Sequence, residues 1–290
     1  MSAKKATGKK ATSEGKAEPK VATKKATTRK AKAGGGVTRI LNVLPSPNTD
    51  QDWGVEQAAA AGAVAAAGPI PARVDLRDDT WWPILDQGST GSCVGQATAG
   101  SILRWHFVKA SRLDNGTPLS VRYIWMAAKE TDALTSTATT FIDGDGTTLK
   151  AALDVARKFG VVPDDMLPFM GNGLYAGDVK TFYAIAANRK IASYYRLQPE
   201  DWKRWLAEVG PILVRLDVDG TWDNVGKNGI LTKYVGNGRG GHAVSLVGYT
   251  ATHFIVRNSW GTGWGDSGFA YATVAYATKA FTEAYGVKLS

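Results

Sequence analysis

The order of apolar patterns along these 290 residues predicts an α+β protein, with helices first, strands afterwards, and the two kinds of element in separate halves. Two observations carry this. Apolar residues recur at helical spacing between residues 93 and 209, and beyond the Gly210-Pro211 pair they gather into short runs set off by Gly and Asn. From Cys93, the small residues Gly95, Ala97, Ala99 and Gly100 lead into Ile102, Trp105 and Val108, which predicts a helix whose first turns pack closely in the interior. Val121, Ile124, Trp125 and Ala128 repeat at i, i+3, i+4, i+7 behind a capping Ser120. Leu149, Ala152, Leu153 and Ala156 do the same behind Thr147 or Thr148. Trp202, Trp205, Leu206 and Val209 form a fourth helix after Pro199, stopped by Gly210-Pro211. Strands are then expected at Ile212 to Leu216, Ala243 to Tyr249, His253 to Arg257 and Phe269 to Val274. No internal repeat is present.

Charge divides the chain differently. The formal net charge is +9, and residues 1–36 alone hold ten Lys and Arg29 against Glu14 and Glu18. The rest is neutral, so the basic balance describes a tail. Lys, Ala, Thr and Gly with one valine and no aromatic residue bury too little apolar area to offset ordering entropy, so residues 1–36 are expected to be disordered. Two readings stand for this tail: non-specific nucleic-acid contact through counterion release, which would allow nucleoid association, or a solubilising extension. No apolar stretch follows the first lysines, and the run Ala58 to Gly68 is too short and too weak for a membrane span. With a single cysteine, a reducing cytoplasm is the expected compartment. Residues 37–72 mix a Pro-rich turn with an alanine run and read as a linker or a short pro-segment. If the segment is removed, the cut is expected near Gly68 to Arg73. The lack of an inhibitory helical pattern favours the linker.

The chemistry concentrates on few residues. Cys93 is the only cysteine, which leaves neither an intramolecular disulfide nor a thiolate zinc site. It lies in Gln87-Gly88-Ser89-Thr90-Gly91-Ser92-Cys93, ahead of a predicted helix whose partial positive end favours a thiolate. Of three histidines, His106 falls inside the first helix and His253 at a strand edge. His242 sits behind a Gly-Gly pair at the start of a strand, the position with room for a substrate. Asp143-Gly144-Asp145-Gly146 lacks the third acidic residue and the terminal Glu of a calcium loop, so no metal is expected there. No cofactor motif is present.

Taken together, these segments resemble the papain-like cysteine peptidases, in the disulfide-free form of bacterial-type members. Gln87 to Cys93 resembles the nucleophile segment, Gly241-His242-Ala243-Val244 the histidine strand, and Asn258-Ser259-Trp260-Gly261-Thr262-Gly263-Trp264-Gly265 the asparagine loop. Asn228-Gly229-Ile230 resembles the turn before the histidine, and Arg73 to Arg77 the start of the mature domain. The resemblance covers residues 70–290 in family order, 149 residues separating Cys93 from His242 and 165 separating it from Asn258. It implies a helical lobe, about 73–195, against a β-barrel-like lobe, about 196–290, with the active site in the cleft between them.

It also implies roles. Cys93 would be the nucleophile and His242 the acid/base, resting as a thiolate–imidazolium pair. Asn258 would orient His242, and Gln87 with the Cys93 N–H would bind the oxyanion. Trp260 would cover the His–Asn hydrogen bond, and Gly146 and Gly241 would flank substrate. Three departures stand out: Thr90 replaces a disulfide cysteine, Val94 replaces an aromatic residue after the nucleophile, and Gly241 replaces a polar residue before the histidine. The expected function is peptide-bond hydrolysis through a covalent acyl-enzyme, with a peptide or protein as substrate. The alternatives are an inactive scaffold that binds peptide or nucleic acid, and deamidation or transglutamylation on the same triad.

Overall fold

The computed structural model describes residues 29–32, 38–131, 146–171, 173–236 and 238–289. Apart from 29–32, the tail expected to be disordered lies outside these residues, as do Asp143, Gly144 and Asp145.

The helix that starts at Cys93 runs unbroken to Lys109: Cys93–Gly95, a wider-wound π stretch Gln96–Leu103, then Arg104–Lys109. Its glycines are there for contact. A Cβ on Gly95 would lie 2.6 Å from the Val121 carbonyl oxygen, so only glycine lets the two helices touch. That second helix, Val121–Thr131, begins where Ser120 Oγ accepts the Tyr123 N–H at 3.0 Å. Thr148, not Thr147, caps Leu149–Lys158, accepting Ala151 N–H at 3.1 Å. Trp202–Glu208 ends at Gly210, whose φ of 144° only glycine adopts readily. Helices at Val55–Ala60, Val179–Ala187 and Val274–Ala280 were not legible in the periodicity.

Ten strands are described, in chain order β1 (Arg29–Lys32), β2 (Thr38–Leu41), β3 (Val74–Asp75), β4 (Ile191–Arg196), β5 (Ile212–Val218), β6 (Ile230–Leu231), β7 (Gly240–Tyr249), β8 (His253–Arg257), β9 (Phe269–Thr273) and β10 (Phe281–Leu289). The main sheet has the order β4-β10-β5-β7-β8-β9-β6, with β3 on β7. Neighbours are antiparallel except β6 and β9. The path ends at β4 and β6, so the sheet is not closed and the lobe is barrel-like in a loose sense. β7 separates two cores. Val244 and Leu246 join Trp202, Trp205 and Trp222 on one side, while Ala243 joins Cys93, Ile102 and Leu149 on the other. His242 therefore starts a strand that forms the seam between the lobes.

The packing does not begin at residue 73. Ala58 is fully buried against the β lobe and Val64 nearly so. Asp52 pairs with Lys150 and accepts the Tyr285 hydroxyl at 2.7 Å. Arg196 N donates to Trp53 O at 2.7 Å, Ala65 N to Glu208 at 2.7 Å, and Tyr249 Oη to Pro71 O at 2.7 Å. These bonds tie residues 47–72, part of the segment read as a linker or short pro-segment, to both lobes. Deleting residues 1–46 should leave one cooperative thermal transition. Deleting 1–72 should lower its midpoint by roughly 10 °C or more beyond that, because buried side chains and clamps are lost. Equal midpoints in differential scanning calorimetry would show that 47–72 adds nothing.

Candidate active site

The first turn of the Cys93 helix brings the thiol against β7. The backbone N–H groups of Ala243, Val94 and Cys93 itself lie close enough to Sγ to favour its thiolate. One residue before Ala243, the His242 ring lies fully buried, its Nε2 2.8 Å from Asn258 Oδ1. The same Oδ1 accepts the Ser259 N–H at 2.8 Å, which fixes the oxygen end of the amide at this position. Asn258 Oδ1 can only accept, so Nε2 carries the ring proton. Nδ1, on the other side of the ring and without a partner, is the free base. The chain thus holds His242 in the one tautomer that can take a proton from a thiol.

Aromatic rings seal this pair. Trp260 packs on His242 at 5.0 Å between centroids, and Trp222 meets the same ring edge-on at 5.8 Å. Trp264 stacks on Trp222 at 5.0 Å and donates Nε1–H to its carbonyl at 3.0 Å. Trp222 carried no motif and was missed. Gln87 is buried, its Oε1 accepting Ser259 Oγ–H at 3.1 Å. Its Nε2 donates to Thr90 O at 2.9 Å, so the expected oxyanion donor is engaged within its own loop in this form.

The chain itself fills the cleft. After β2, residues 42–44 pass between the lobes in extended form. Val43 N donates to Gly241 O at 3.1 Å and Leu44 N to Thr147 O at 3.0 Å. The walls are glycine because nothing larger fits: a Cβ on Gly146 would lie 1.9 Å from Asn42 O, and one on Gly241 1.9 Å from Val43 O. Both glycines named as substrate contacts therefore flank a peptide, and that peptide is this protein's own. Beyond the thiol, Arg215 Nε donates to Val43 O at 3.3 Å, and Glu283 Oε1 accepts Ser46 N–H at 2.8 Å. Before it, Arg39 reaches Asp86, Gly88 and Trp260. The apolar run Ile40 to Leu44, isolated behind a polar tail, was the sequence signal for a buried segment.

Occlusion reverses the expected charge state. Burial pushes the Cys93 thiol up to about 11, overriding its three N–H donors and the Lys129 cation. Burial likewise pulls His242 down to about 4, against the Asn258 bond that favours the charged ring. At neutral pH the pair is thiol and imidazole, not the thiolate–imidazolium expected for an open site.

A sequence profile of the papain family cysteine proteases matches residues 70–285. The chain belongs to that family. It is similar to cathepsin K of Mus musculus, 26% identical over 213 residues, which covers 70% of this chain and 60% of that one. Human cathepsin O is 27% identical over 210 residues, 70% of this chain and 61% of that one. The chain thus spans about 60% of the length of these cathepsins. Among solved structures, xylellain, a cysteine protease from Xylella fastidiosa, matches with a TM-score of 0.69 at 22% identity, covering 91% of this chain and 99% of that one. Such coverage includes residues upstream of 70. Procathepsin L 3 of the Tenebrio molitor larval midgut has a TM-score of 0.60 at 21% identity, over 78% of this chain and 72% of that one.

Iodoacetamide should alkylate Cys93 in the intact chain at pH 7 at least ~100-fold more slowly than a free cysteine, because the reactive thiolate is scarce. The rate should climb as pH approaches 11, the value to which burial raises the thiol. A free-cysteine rate, followed by intact mass, would mean that the cleft is open in solution.

Proposed function

We propose that this protein is a thiol-dependent peptidase held latent by its own residues 38–46. The observation that carries the catalytic half is the His242 Nε2–Asn258 Oδ1 bond at 2.8 Å, which leaves Nδ1 bare on the residue next to Ala243, whose N–H acts on the Cys93 thiol. In an open cleft, Nδ1 takes the Cys93 proton and Sγ adds to the peptide carbonyl carbon. The oxyanion meets the Cys93 N–H and Gln87 Nε2, once that amide leaves Thr90. Collapse breaks the C–N bond, with His242 giving its proton to the departing amine. Water, deprotonated by His242, then attacks the thioester and restores the thiol. Amine acceptors would divert the same acyl-enzyme to transfer, but no feature of the cleft favours them over water.

The latent half rests on the plug. Leu41 and Val43 are 1% and 2% exposed, and burial of such side chains contributes about 1.5–3 kcal/mol each. Residues 47–72 stay with the enzyme in this reading, and only the strand ahead of them must move. The plugged form also has a pH dependence. A buried histidine held near 4 binds fewer protons than one in water near 6.5. The closed form therefore loses stability relative to the open one as pH falls from 6.5 toward 4, by at most about 3 kcal/mol.

The tail, residues 1–36, carries the whole net charge and supports non-specific nucleic-acid contact.

Cys93→Ala should abolish peptide hydrolysis and epoxide labelling, while Asn258→Ala should retain a measurable fraction because both reacting groups remain. Val43→Gly, which empties the buried plug position, should raise the initial rate on a fluorogenic peptide at pH 7 by tenfold or more, equivalent to about 1.4 kcal/mol off the plug. The parent should approach that rate near pH 5. A parent as active as Val43→Gly at pH 7 would refute latency. Removing residues 1–36 should abolish retention on duplex DNA at low salt; unchanged retention would place binding in the folded body.

A further inference from the structure

The plug carries an arginine into a preformed site. Arg39 is 5% exposed at its side chain. Nη1 donates to Asp86 Oδ1 at 2.5 Å and to Gly88 O at 2.7 Å, and Nη2 donates to Trp260 O at 3.1 Å. The guanidinium carbon lies 5.9 Å from the Trp260 ring centroid, within the range of a cation–π contact. Three acceptors and an aromatic face converge on one planar cation. Two of the three acceptors are backbone carbonyls fixed by other bonds. Gly88 belongs to the loop where Thr90 N donates to Gln87 O at 3.2 Å, and the strand before Trp260 is pinned to it by Gln87 N donating to Ser259 O at 2.9 Å. This receptor is built by the body of the protein, not by the plug.

Its position matters for chemistry. Trp260, which forms one wall, packs on His242 at 5.0 Å, so the cation sits one ring away from the general base. Asp86 and Gly88, with Gln87 between them, also line a groove of about 720 Å³, walled by Trp125, Met126 and Phe169. A peptide in the cleft would pass this site as it extends beyond the thiol. Of the guanidinium nitrogens of Arg39, Nη1 and Nη2 are bonded to the site and Nε has no partner.

We propose that Asp86, the Gly88 and Trp260 carbonyls and the Trp260 ring form an arginine-binding subsite, and that this peptidase selects peptides with an arginine beside the scissile bond. The inference rests on the peptidase reading above. The plug then acts as a mimic of the preferred substrate side chain, and the site that latches the closed form reads the substrate in the open one. Lysine fits less well, because a point ammonium cannot span a carboxylate and two carbonyls in one plane.

The test uses the full chain carrying Arg39→Ala, which empties the subsite, and two fluorogenic octapeptides of alanine that differ only in one residue, arginine or its uncharged isostere citrulline. The arginine peptide should be cleaved with a kcat/KM about tenfold higher, as befits an ion pair between a half-exposed carboxylate and a largely desolvated guanidinium. Mass analysis of products should place the arginine at one fixed distance from the cut. Adding Asp86→Asn should bring the ratio within about twofold, since the charge is lost and the shape kept. A ratio near one with Arg39→Ala alone overturns the subsite. If neither peptide is cut and the epoxide fails to label Cys93, the peptidase reading fails. The subsite is then judged by calorimetry on the Cys93→Ala, Arg39→Ala chain, where about tenfold tighter binding of the arginine peptide supports it and equal binding overturns it. Should Arg39→Ala unfold the protein, the parent chain near pH 5 replaces it, with the same ratios deciding.

Discussion

Backbone passage between two glycine walls governs the rest of this structure. Gly146 from the helical lobe and Gly241 from the sheet lobe approach so closely that a Cβ on either would collide with the peptide between them. That gap forces an extended chain, because Gly241 O and Thr147 O accept only from a backbone that presents its N–H groups to both sides. The same gap sets what surrounds the thiol. A peptide lodged in it excludes water from Cys93 and His242, and the loss of water is what drives one group up and the other down. Specific binding and electrostatic silence are two results of one steric fit.

Cys93, His242 and Asn258, the residues proposed as nucleophile, base and orienting amide, stood out in the sequence because chemistry fixes the local surroundings such roles need. A thiol at a helix start, a histidine behind Gly-Gly and an asparagine ahead of Ser-Trp each need particular neighbours in the chain. Periodicity located the four helices it was asked to locate, down to the caps at Ser120 and Thr148. It failed where burial is decided by distant contacts. β10 runs Phe281–Leu289 inside the sheet, between the edge strand β4 and β5, yet its sequence alternates poorly because most of its side chains are buried on both faces. Val55–Ala60 is an alanine helix with no apolar stripe, held by Trp53, Ala61 and Ala65 bonding to partners far along the chain. The plug was hidden for the same reason. Its residues look like a short apolar stretch until Gly241 and Thr147, some 200 and 100 positions away, supply the hydrogen-bond partners.

The charge state shows why a motif does not determine reactivity. Helix terminus, three N–H donors and a nearby lysine all favour a thiolate at Cys93, and in solvent they would prevail. Each of these is worth a modest amount, whereas transferring an anion out of water costs more than their sum. The histidine follows the same rule from the other side: Asn258 favours the imidazolium, yet an amide oxygen cannot compensate a buried cation as a carboxylate would. A Cys-His-Asn set is therefore well suited to a site that must be switched off by occlusion. With an aspartate in place of Asn258, the ring would keep its charge under the plug and hold the thiolate ready.

Tethering explains why such a plug can be weak and still effective. It is anchored at its downstream end by Ser46 on Glu283 and by Lys150 on Pro47 and Asn48, and those anchors belong to a segment fixed to both lobes. A strand held a few residues from its site competes at an effective concentration on the order of millimolar, whatever its intrinsic affinity. Substrate at micromolar levels therefore has to bind the open cleft far more tightly than the plug does to displace it by mass action. Opening then depends on a change in the plug or in the pair it covers, and protonation of His242 is a change the structure already couples to closure. Because the plug uses the glycine walls a substrate needs, tighter walls would favour both occupants equally and shift nothing between them. Beyond the protonation of His242, what separates plug from substrate is the set of contacts that only the tethered chain makes, at Ser46 to Asn48.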